Sequence, residues 1–188
     1  YLDLEADYFA KTKKIWENVS FNGKTNGTAF GYPDTSVMGL FFNKELLEKS
    51  NQPDLYELYR NKEWTWDKFR EVAKALTNQD ASNKIYGIVS DGHISGMSLA
   101  SNAGGTVTRN ADGTYSAAFA SEKGIKAASF VRSLLFDDKS LNYLSSWETA
   151  VEQFSQGKAG FLPFYVHQLK LFGLDTAFPV GFVPYPIG

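Results

Sequence analysis

The sequence of 188 residues contains no cysteine and only two histidines. The absence of cysteine excludes disulfide bonds, thiolate metal ligands and cysteine nucleophiles. Two histidines without any cysteine cannot build a histidine-rich metal centre. We therefore expect neither a metal nor another cofactor. The lack of cysteine fits an exported protein, although many cytosolic proteins share it.

An excess of charge of one sign is also missing. The chain has 19 Lys and Arg against 21 Asp and Glu, which gives a formal net charge of -2. Both signs are interspersed along the sequence. Nucleic-acid-binding domains need a basic stripe or patch, so we expect no nucleic-acid partner.

Long apolar segments are absent as well. No apolar run approaches the roughly 20 residues that span a bilayer. The first residues, Tyr1-Leu2-Asp3-Leu4-Glu5, lack the basic start and the apolar core of a signal peptide. We therefore expect a mature or excised polypeptide.

The sequence also lacks the common catalytic motifs. The nucleophile elbow Gly-x-Ser-x-Gly, the zinc motif His-Glu-x-x-His and a glycine-rich phosphate loop do not occur. Glycoside hydrolases use two carboxylates about 5 to 10 Å apart, and among 21 acidic residues some pair will always fit. No such pair stands in a motif that demands catalysis. We predict that the chain is not an enzyme and keep a carbohydrate-active hydrolase as an alternative.

The sequence does contain the material for a core of strands and helices. Hydrophobic residues make up 43% and aromatic residues 15% of the chain, which is enough to bury a sizeable core. Apolar runs predict strands at 37–42, 85–89, 161–162 and 180–183. Helical patterns begin at or just after Asn43, Thr65, Ser95, Ser121, and Ser145 or Ser146. This alternation predicts an α/β fold with a largely parallel sheet flanked by helices.

Two other segments have local patterns of their own. Residues 106–119 alternate around Asp112-Gly113, which predicts a β-hairpin. Residues 51–63 are polar, contain Pro53 and predict a loop with a helical turn.

The four tryptophans are candidates for either core or ligand contacts. Trp66 lies on the apolar stripe of its helix and is predicted to be a core residue, as is Trp16. Trp64 and Trp147 lie beside helix starts, and for these two both roles stay open.

Six segments occur in the order typical of one protein family. They are Gly31-Tyr32-Pro33 through Asn43-Lys44-Glu45-Leu46-Leu47, Thr65-Trp66-Asp67-Lys68-Phe69, Tyr86-Gly87-Ile88, Asn102-Ala103-Gly104-Gly105, Phe154-Ser155-Gln156-Gly157-Lys158-Ala159-Gly160-Phe161, and Val180-Gly181 through Pro184-Tyr185-Pro186. Together they resemble the family 1 extracellular solute-binding proteins of ABC transporters, mainly the carboxy-terminal lobe. The family often has Gly-Pro-Trp after its Gly-Lys-Ala strand, whereas this chain has Pro163-Phe164-Tyr165.

The resemblance implies a periplasmic-binding-protein-like lobe and a division of the chain. Family members are about twice as long and hold their ligand between two lobes joined by crossover strands. Residues 1–33 would be the end of the amino-terminal lobe and the first crossover. Residues 34–178 would be the carboxy-terminal lobe, and residues 179–188 the return crossover strand.

The resemblance also implies a function and partners. The whole protein would bind an extracellular small solute, a mono- or oligosaccharide by preference, and deliver it to the membrane subunits of an ABC importer after closure of the lobes. It would act at the extracellular face or in the periplasm as a lipoprotein, held to the membrane only by a lipid anchor outside this chain. A ligand-free interaction domain is a further alternative. Peptides, polyols and organic phosphates stay open as solutes.

Three segments are predicted to reach the carboxyl edge of the sheet, where ligands of α/β folds bind. They are Asp34-Thr35-Ser36, residues 90–94 and residues 163–167. These segments supply the predicted ligand-binding residues Asp34, Ser36, Asp91, His93, Phe164 and Tyr165. Carboxylates and hydroxyls suit sugar hydroxyl groups, and aromatic faces suit sugar C–H surfaces. Each type has an alternative role: the aspartates as turn caps, His93 as a surface residue, and the aromatics as core residues.

Overall fold

The computed structural model describes residues 20–21, 24–25, 37–80, 82–103, 107–167 and 174–188. The contacts divide the chain into two units, Tyr1–Ser36 and Val37–Gly188. In the first unit, strands β1 (Ser20–Phe21) and β2 (Lys24–Thr25) pair antiparallel. Trp16 lies outside the described residues.

The second unit is built on a five-stranded sheet. The described part of this unit contains, in chain order, the strands β3 (Met38–Asn43), β4 (Tyr86–Ser90), β5 (Val107–Arg109), β6 (Tyr115–Ala117), β7 (Leu141–Tyr143), β8 (Ala159–Tyr165) and β9 (Val180–Val183). The sheet has the order β7-β4-β8-β3-β9, and β5 pairs with β6 as a separate hairpin. That hairpin confirms the prediction made from Asp112-Gly113.

The strand directions confirm a mostly parallel sheet. Strand β4 is parallel to β7 and to β8, whereas β3 is antiparallel to β8 and to β9. Only β3 therefore opposes the other four strands of this sheet. As a result, the carboxyl ends of β4, β7, β8 and β9 share one edge with the start of β3, and the residues at this edge form the candidate site.

The helices flank this sheet on both faces. They are α1 (Lys44–Lys49), α2 (Leu55–Arg60), α3 (Trp66–Leu76), α4 (His93–Ala103), α5 (Glu122–Arg132) and α6 (Trp147–Ser155). The predicted capping side chains accept backbone N–H groups at the starts of their helices, and they are Asn43, Thr65, Ser121 and Ser146. Helix α2 lies within 51–63, where the sequence predicts a helical turn.

The core consists of two clusters, one on each face of the sheet. Leu40 and Phe42 of β3 belong to the larger cluster, which includes buried residues of α1, α2, α3 and α5. Phe41, between them, belongs to the smaller cluster, together with Phe154 of α6. Since successive side chains of a strand point to opposite faces, this alternation confirms that β3 is covered on both sides.

Helix α3 approaches the sheet closely because β4 carries a glycine. A Cβ atom added at Gly87 would lie 2.0 Å from the carbonyl oxygen of Ala73. No side chain fits at this contact, so Gly87 allows the helix backbone to lie directly on the strand.

Strand β8 is longer than the sequence predicts. The apolar pattern indicates only 161–162, yet the strand runs from Ala159 to Tyr165 and includes Pro163. Pro163 pairs with Leu40 of β3, while the parallel pairing with β4 ends at Phe161. The missing N–H of proline therefore falls beyond the ladder with β4, where a proline is tolerated. Tyr165 consequently ends a strand at the candidate edge.

Candidate ligand-binding site

A concavity of about 810 Å³ lies at the carboxyl edge of the sheet. Its volume falls within the roughly 300–1,000 Å³ typical of small-molecule sites. Its lining residues come from the start of β3, the turn after β4, helix α4, the end of β8 and the segment after β9. They are Met38, Asp91, Gly92, His93, Gly96, Met97, Ala100, Ser101, Tyr165 and Tyr185. Three of the predicted residues, Asp91, His93 and Tyr165, thus meet at one site.

The turn between β4 and α4 is fixed by two side chains that accept backbone N–H groups. The hydroxyl of Ser90, which is 1% exposed, accepts the N–H of Ile94 at 3.2 Å. A carboxylate oxygen of Asp91 accepts the N–H of His93 at 3.1 Å. These bonds satisfy N–H groups in the first turn of α4, which have no partner within the helix. The predicted capping role of Asp91 is therefore present together with its position at the concavity.

Asp91 and His93 also contact each other through their side chains. The same carboxylate oxygen, Oδ1 of Asp91, is hydrogen-bonded to Nδ1 of the His93 ring. Both side chains remain about one-fifth exposed, at 20% and 19%. The pair is therefore held in place by the protein and still accessible from the concavity.

The aromatic residues around His93 take different positions. The ring centre of Tyr165 lies 5.3 Å from that of His93 in an edge-to-face arrangement, and Tyr165 lines the concavity. Phe164 is 1% exposed, and its ring lies 5.8 Å from His93 and 5.6 Å from Trp147. Phe164 does not line the concavity and packs beneath His93 as a core residue, which is the alternative that the sequence leaves open.

Of the other candidate residues, two lie outside the described residues and two tryptophans are buried. Asp34 and Ser36 lie outside the described residues, so their ligand contacts stay a prediction. Trp66 is 5% exposed and stacks on Phe130 at 4.4 Å, which confirms its core position. Trp64 is 3% exposed, and its Nε1–H donates to the carbonyl oxygen of Pro184 at 2.9 Å.

Sequence reasoning misses Tyr185 and the wall formed by helix α4. Tyr185 lies two residues after β9, so the rule that ligands bind after strand ends could have identified it. Burial raises the pKa of its phenol, and a hydrogen bond to Ser98 opposes this effect in part. The other wall is a helix face of small side chains, Gly96, Ala100 and Ser101, beside Met97. Small residues carry no chemical signal in the sequence.

The concavity carries little charge. Asp91 is the only lining residue with a formal charge among those of the described chain, and none of the described lining residues is Lys or Arg.

In the described residues, no group of three or more His, Asp or Glu side chains could hold a metal ion. Within the same ranges, no helix is long and apolar enough to cross a membrane.

The family of the chain follows from its sequence. Residues 2–186 match the bacterial extracellular solute-binding protein family, and the chain belongs to this family. This match confirms the resemblance drawn from the six segments. A comparison with curated protein sequences gives no significant match.

Solved structures with the same fold include several ABC solute-binding proteins. The ABC substrate-binding protein Lmo0181 from Listeria monocytogenes, in complex with cycloalternan, has 21% identity and a TM-score of 0.63. UgpB from Mycobacterium tuberculosis, in complex with glycerophosphocholine, has 13% identity and a TM-score of 0.69. A solute-binding protein from Thermotoga lettingae, bound with α-D-tagatose, has 18% identity and a TM-score of 0.66.

The chain spans a little less than half the length of these proteins. Each comparison covers 98% of this chain, but only 45% of the first two proteins and 47% of the third. The chain therefore corresponds to a part of a solute-binding protein of that size.

Proposed function

We propose that the chain is the carboxy-terminal lobe of an ABC importer's receptor for a neutral, hydroxyl-rich solute, with a sugar as the favoured ligand. Residues 34–178 form this lobe, residues 1–33 contain the end of the amino-terminal lobe and the first crossover, and residues 179–188 form the return crossover strand. The observation that carries the proposal is the concavity at the carboxyl edge of the sheet.

The lining chemistry favours a sugar. Tyr165 and Tyr185 bring aromatic side chains, which pack against sugar C–H surfaces, and such contacts contribute on the order of 1 kcal/mol beyond burial. Asp91, His93 and Ser101 bring hydrogen-bonding groups for hydroxyls. Two further structural neighbours are a Thermus thermophilus protein bound with maltotriose and an Agrobacterium vitis protein with bound D-mannitol. Their ligands are also rich in hydroxyl groups.

The charge of the lining disfavours an anionic ligand. Phosphate and carboxylate groups are bound most strongly by Arg or Lys, and the described lining has neither. Asp91 would instead repel an anion. A solute whose phosphate contacts this lobe is therefore a weaker candidate than a sugar or a polyol.

Binding is proposed to close two lobes over the solute. Closure requires contacts that are better in the closed state than in the open state. Two hydrogen bonds tie the return segment to this lobe. The backbone N–H of Trp66 donates to the carbonyl oxygen of Ile187 at 3.0 Å, and the indole N–H of Trp64 donates to the carbonyl oxygen of Pro184. A rotation at Pro184–Pro186 would strain these bonds, so we propose that this segment moves with the carboxy-terminal lobe during closure.

The closed complex would then be recognised by the membrane subunits of the ABC importer. The family is described as extracellular, which supports an extracellular or periplasmic location for the whole protein. A lipid anchor on the whole protein, outside this chain, is part of the proposal. The family's role in solute binding also favours a binding protein over an enzyme.

The proposal is tested by calorimetric titration of the full-length protein. The panel includes maltotriose, cycloalternan, α-D-tagatose, D-mannitol and glycerophosphocholine. We expect saturable binding of one glycan class, weakened by His93→Ala and Tyr165→Ala. Tyr165→Phe, which keeps the aromatic face, should retain more affinity than Tyr165→Ala. If the folded protein binds none of the sugars, the sugar assignment is wrong. Binding that both alanine variants leave unchanged would remove the concavity as the site.

A further inference from the structure

The contact between Asp91 and His93 determines which ring nitrogen carries the proton. A carboxylate can only accept hydrogen bonds. Because Oδ1 of Asp91 is hydrogen-bonded to Nδ1 of His93, the neutral ring holds its proton on Nδ1. The other nitrogen, Nε2, is then a hydrogen-bond acceptor. His93 lines the concavity, so its ring borders the space in which the solute is proposed to bind.

The surroundings of the ring support this arrangement. The ring centres of Phe164 and Tyr165 lie 5.8 and 5.3 Å from the ring centre of His93, at interplanar angles of 71° and 79°. Aromatic packing on two sides and the bond to Asp91 together limit rotation of the imidazole. A ring that is held in one orientation presents its free nitrogen in one direction, which lowers the entropy cost of ligand binding.

We propose that Asp91 is a positioning residue, which holds His93 as the Nδ1–H tautomer so that Nε2 accepts a hydroxyl hydrogen of the solute. This inference rests on the proposed function for the identity of the solute and extends it to one atom of the site. In this proposal, Nε2 of His93 selects solutes that have a hydrogen-bond donor, such as a hydroxyl group, next to this atom. A ligand with an ether oxygen or an anionic oxygen there would face an acceptor and bind less well.

A purely structural role for Asp91 has a matched control elsewhere in the chain. Asp54 caps helix α2 with the same spacing, because its carboxylate accepts the N–H of Tyr56 at 2.7 Å. Asp91 accepts the N–H of His93 in the same way. Asp54 contacts no histidine and does not line the concavity. Asp54→Ala and Asp91→Ala therefore each remove one bond from a carboxylate to a backbone N–H two residues later, but only Asp91→Ala releases the imidazole.

The first test reads the tautomer directly and needs no ligand. The full-length protein is labelled with ¹⁵N-histidine, and long-range ¹H–¹⁵N spectra are recorded at about pH 8. His93 is assigned by the signals that disappear in His93→Gln. We expect the Nδ1–H pattern in the native protein and in Asp54→Ala. In Asp91→Ala we expect a shift toward Nε2–H, and in Asp91→Asn, whose amide oxygen can still accept, partial retention of Nδ1–H.

The second test measures affinity, with maltotriose as the probe. We expect Asp91→Ala to weaken binding about tenfold, since the lost positioning and hydrogen bond correspond to roughly 1.4 kcal/mol. Asp91→Asn should restore part of the affinity, and Asp54→Ala should leave it unchanged. The two proposals fail separately. If neither maltotriose nor any other sugar of the panel binds, the sugar assignment is wrong. An Nε2–H tautomer in the native protein, or equal losses in both alanine variants, would overturn the role of Asp91.

Discussion

The hydroxyl groups of Ser98 and Tyr185 are hydrogen-bonded at 2.7 Å. The Ser98 hydroxyl also donates to the carbonyl oxygen of Ile94 at 2.8 Å. Since a serine has a single hydroxyl proton, Tyr185 must donate to Ser98. The bond ties the segment after β9 to the middle of α4, and the two sides of the concavity are thereby held together.

Loss of this bond should lower the stability of the fold. Tyr185→Phe leaves the buried Ser98 oxygen with an unused lone pair, and we expect the free energy of unfolding to fall by about 1 kcal/mol. Denaturant titration at neutral pH measures the change. Tyr59→Phe is the control, because Tyr59 is 52% exposed, and it should change stability by less than about 0.5 kcal/mol. Equal effects of the two substitutions would contradict the prediction.

The same phenol should make the protein sensitive to alkaline pH. Burial raises the pKa of Tyr185 in the folded state above the ordinary value of about 10. The unfolded chain therefore releases this proton at a lower pH than the folded chain, and the free energy of unfolding falls as the pH rises above about 10. Thermal unfolding from pH 8 to 11 should show a shallower decline in Tyr185→Phe than in the native protein. An unchanged decline would show that Tyr185 does not contribute.

Asp138 should stabilise the fold at neutral pH and lose this effect in acid. The hydrogen bond from Arg70, opposed by burial, lowers the pKa of the Asp138 carboxyl, whose side chain is 3% exposed. The carboxylate of Asp138 therefore stabilises the fold at pH values above the ordinary carboxyl pKa, which is about 4. This stabilisation is lost as the pH falls through the lower pKa of the folded state. We expect Asp138→Asn to cost about 1 kcal/mol at pH 7, since Arg70 is 40% exposed and its charge is screened.

The measurement for Asp138 is urea unfolding between pH 2 and 7. The difference between the native protein and Asp138→Asn should shrink toward the acid end. Asp137→Asn is the control, because Asp137 pairs with Arg132 at 3.3 Å with both side chains at least half exposed. A difference that stays constant with pH would mean that the carboxylate charge of Asp138 is not the cause.

A larger side chain at position 96 should block the ligand without harming the fold. Gly96 lies in α4 and lines the concavity, and a Cβ atom added there meets nothing within 4 Å. Gly96→Leu should abolish sugar binding, while the melting temperature stays equal or rises because leucine favours helices over glycine by up to about 0.8 kcal/mol. Gly96→Ala, which adds one methyl group, should still bind. Calorimetry and thermal unfolding of the full-length protein test both parts, and full binding by Gly96→Leu would exclude this concavity.

The 188-residue chain alone should bind the solute weakly. In the proposed closure, ligand contacts come from both lobes, and this chain would supply only one lobe with a part of the other. We expect a Kd in the millimolar range, which corresponds to about 4 kcal/mol. Titration of the isolated chain against the sugar bound by the full-length protein gives this value. Micromolar or tighter binding by the chain alone would contradict the division of the site between two lobes.

Local patterns predicted most of the elements because their causes are local. The caps at Thr65 and Ser121 need only a short polar side chain before a helical pattern. The hairpin at Asp112-Gly113 needs only a turn that accepts a positive φ, and Gly113 has a φ of 84°. Strand β7 was not predicted. Its three residues, Leu141–Tyr143, are held by pairing with β4 at the edge of the sheet, and three residues are too few for a periodic signal.

The candidate site was predicted in part. The rule that ligands bind where parallel strands end led from the sequence to Asp91, His93 and Tyr165, and all three line the concavity. The same rule also selects Phe164, which lies in the same segment, residues 163–167. The pleat of β8 turns these two neighbours to opposite faces. Phe164 enters the core under α6, while Tyr165 lies on the side of α4.

The sequence by itself determined the family, the α/β class and two of the segments that reach the edge of the sheet, those of Asp91 and Tyr165. Composition, periodicity and motif order can be read from the residues without the fold. The tertiary structure decided which side chains meet there. The approach of Tyr185 to Ser98 joins residues 87 positions apart, and the reversed direction of β3 brings Met38 to the same edge as Tyr165. Such contacts depend on strand register and helix packing, which no single segment of the chain encodes.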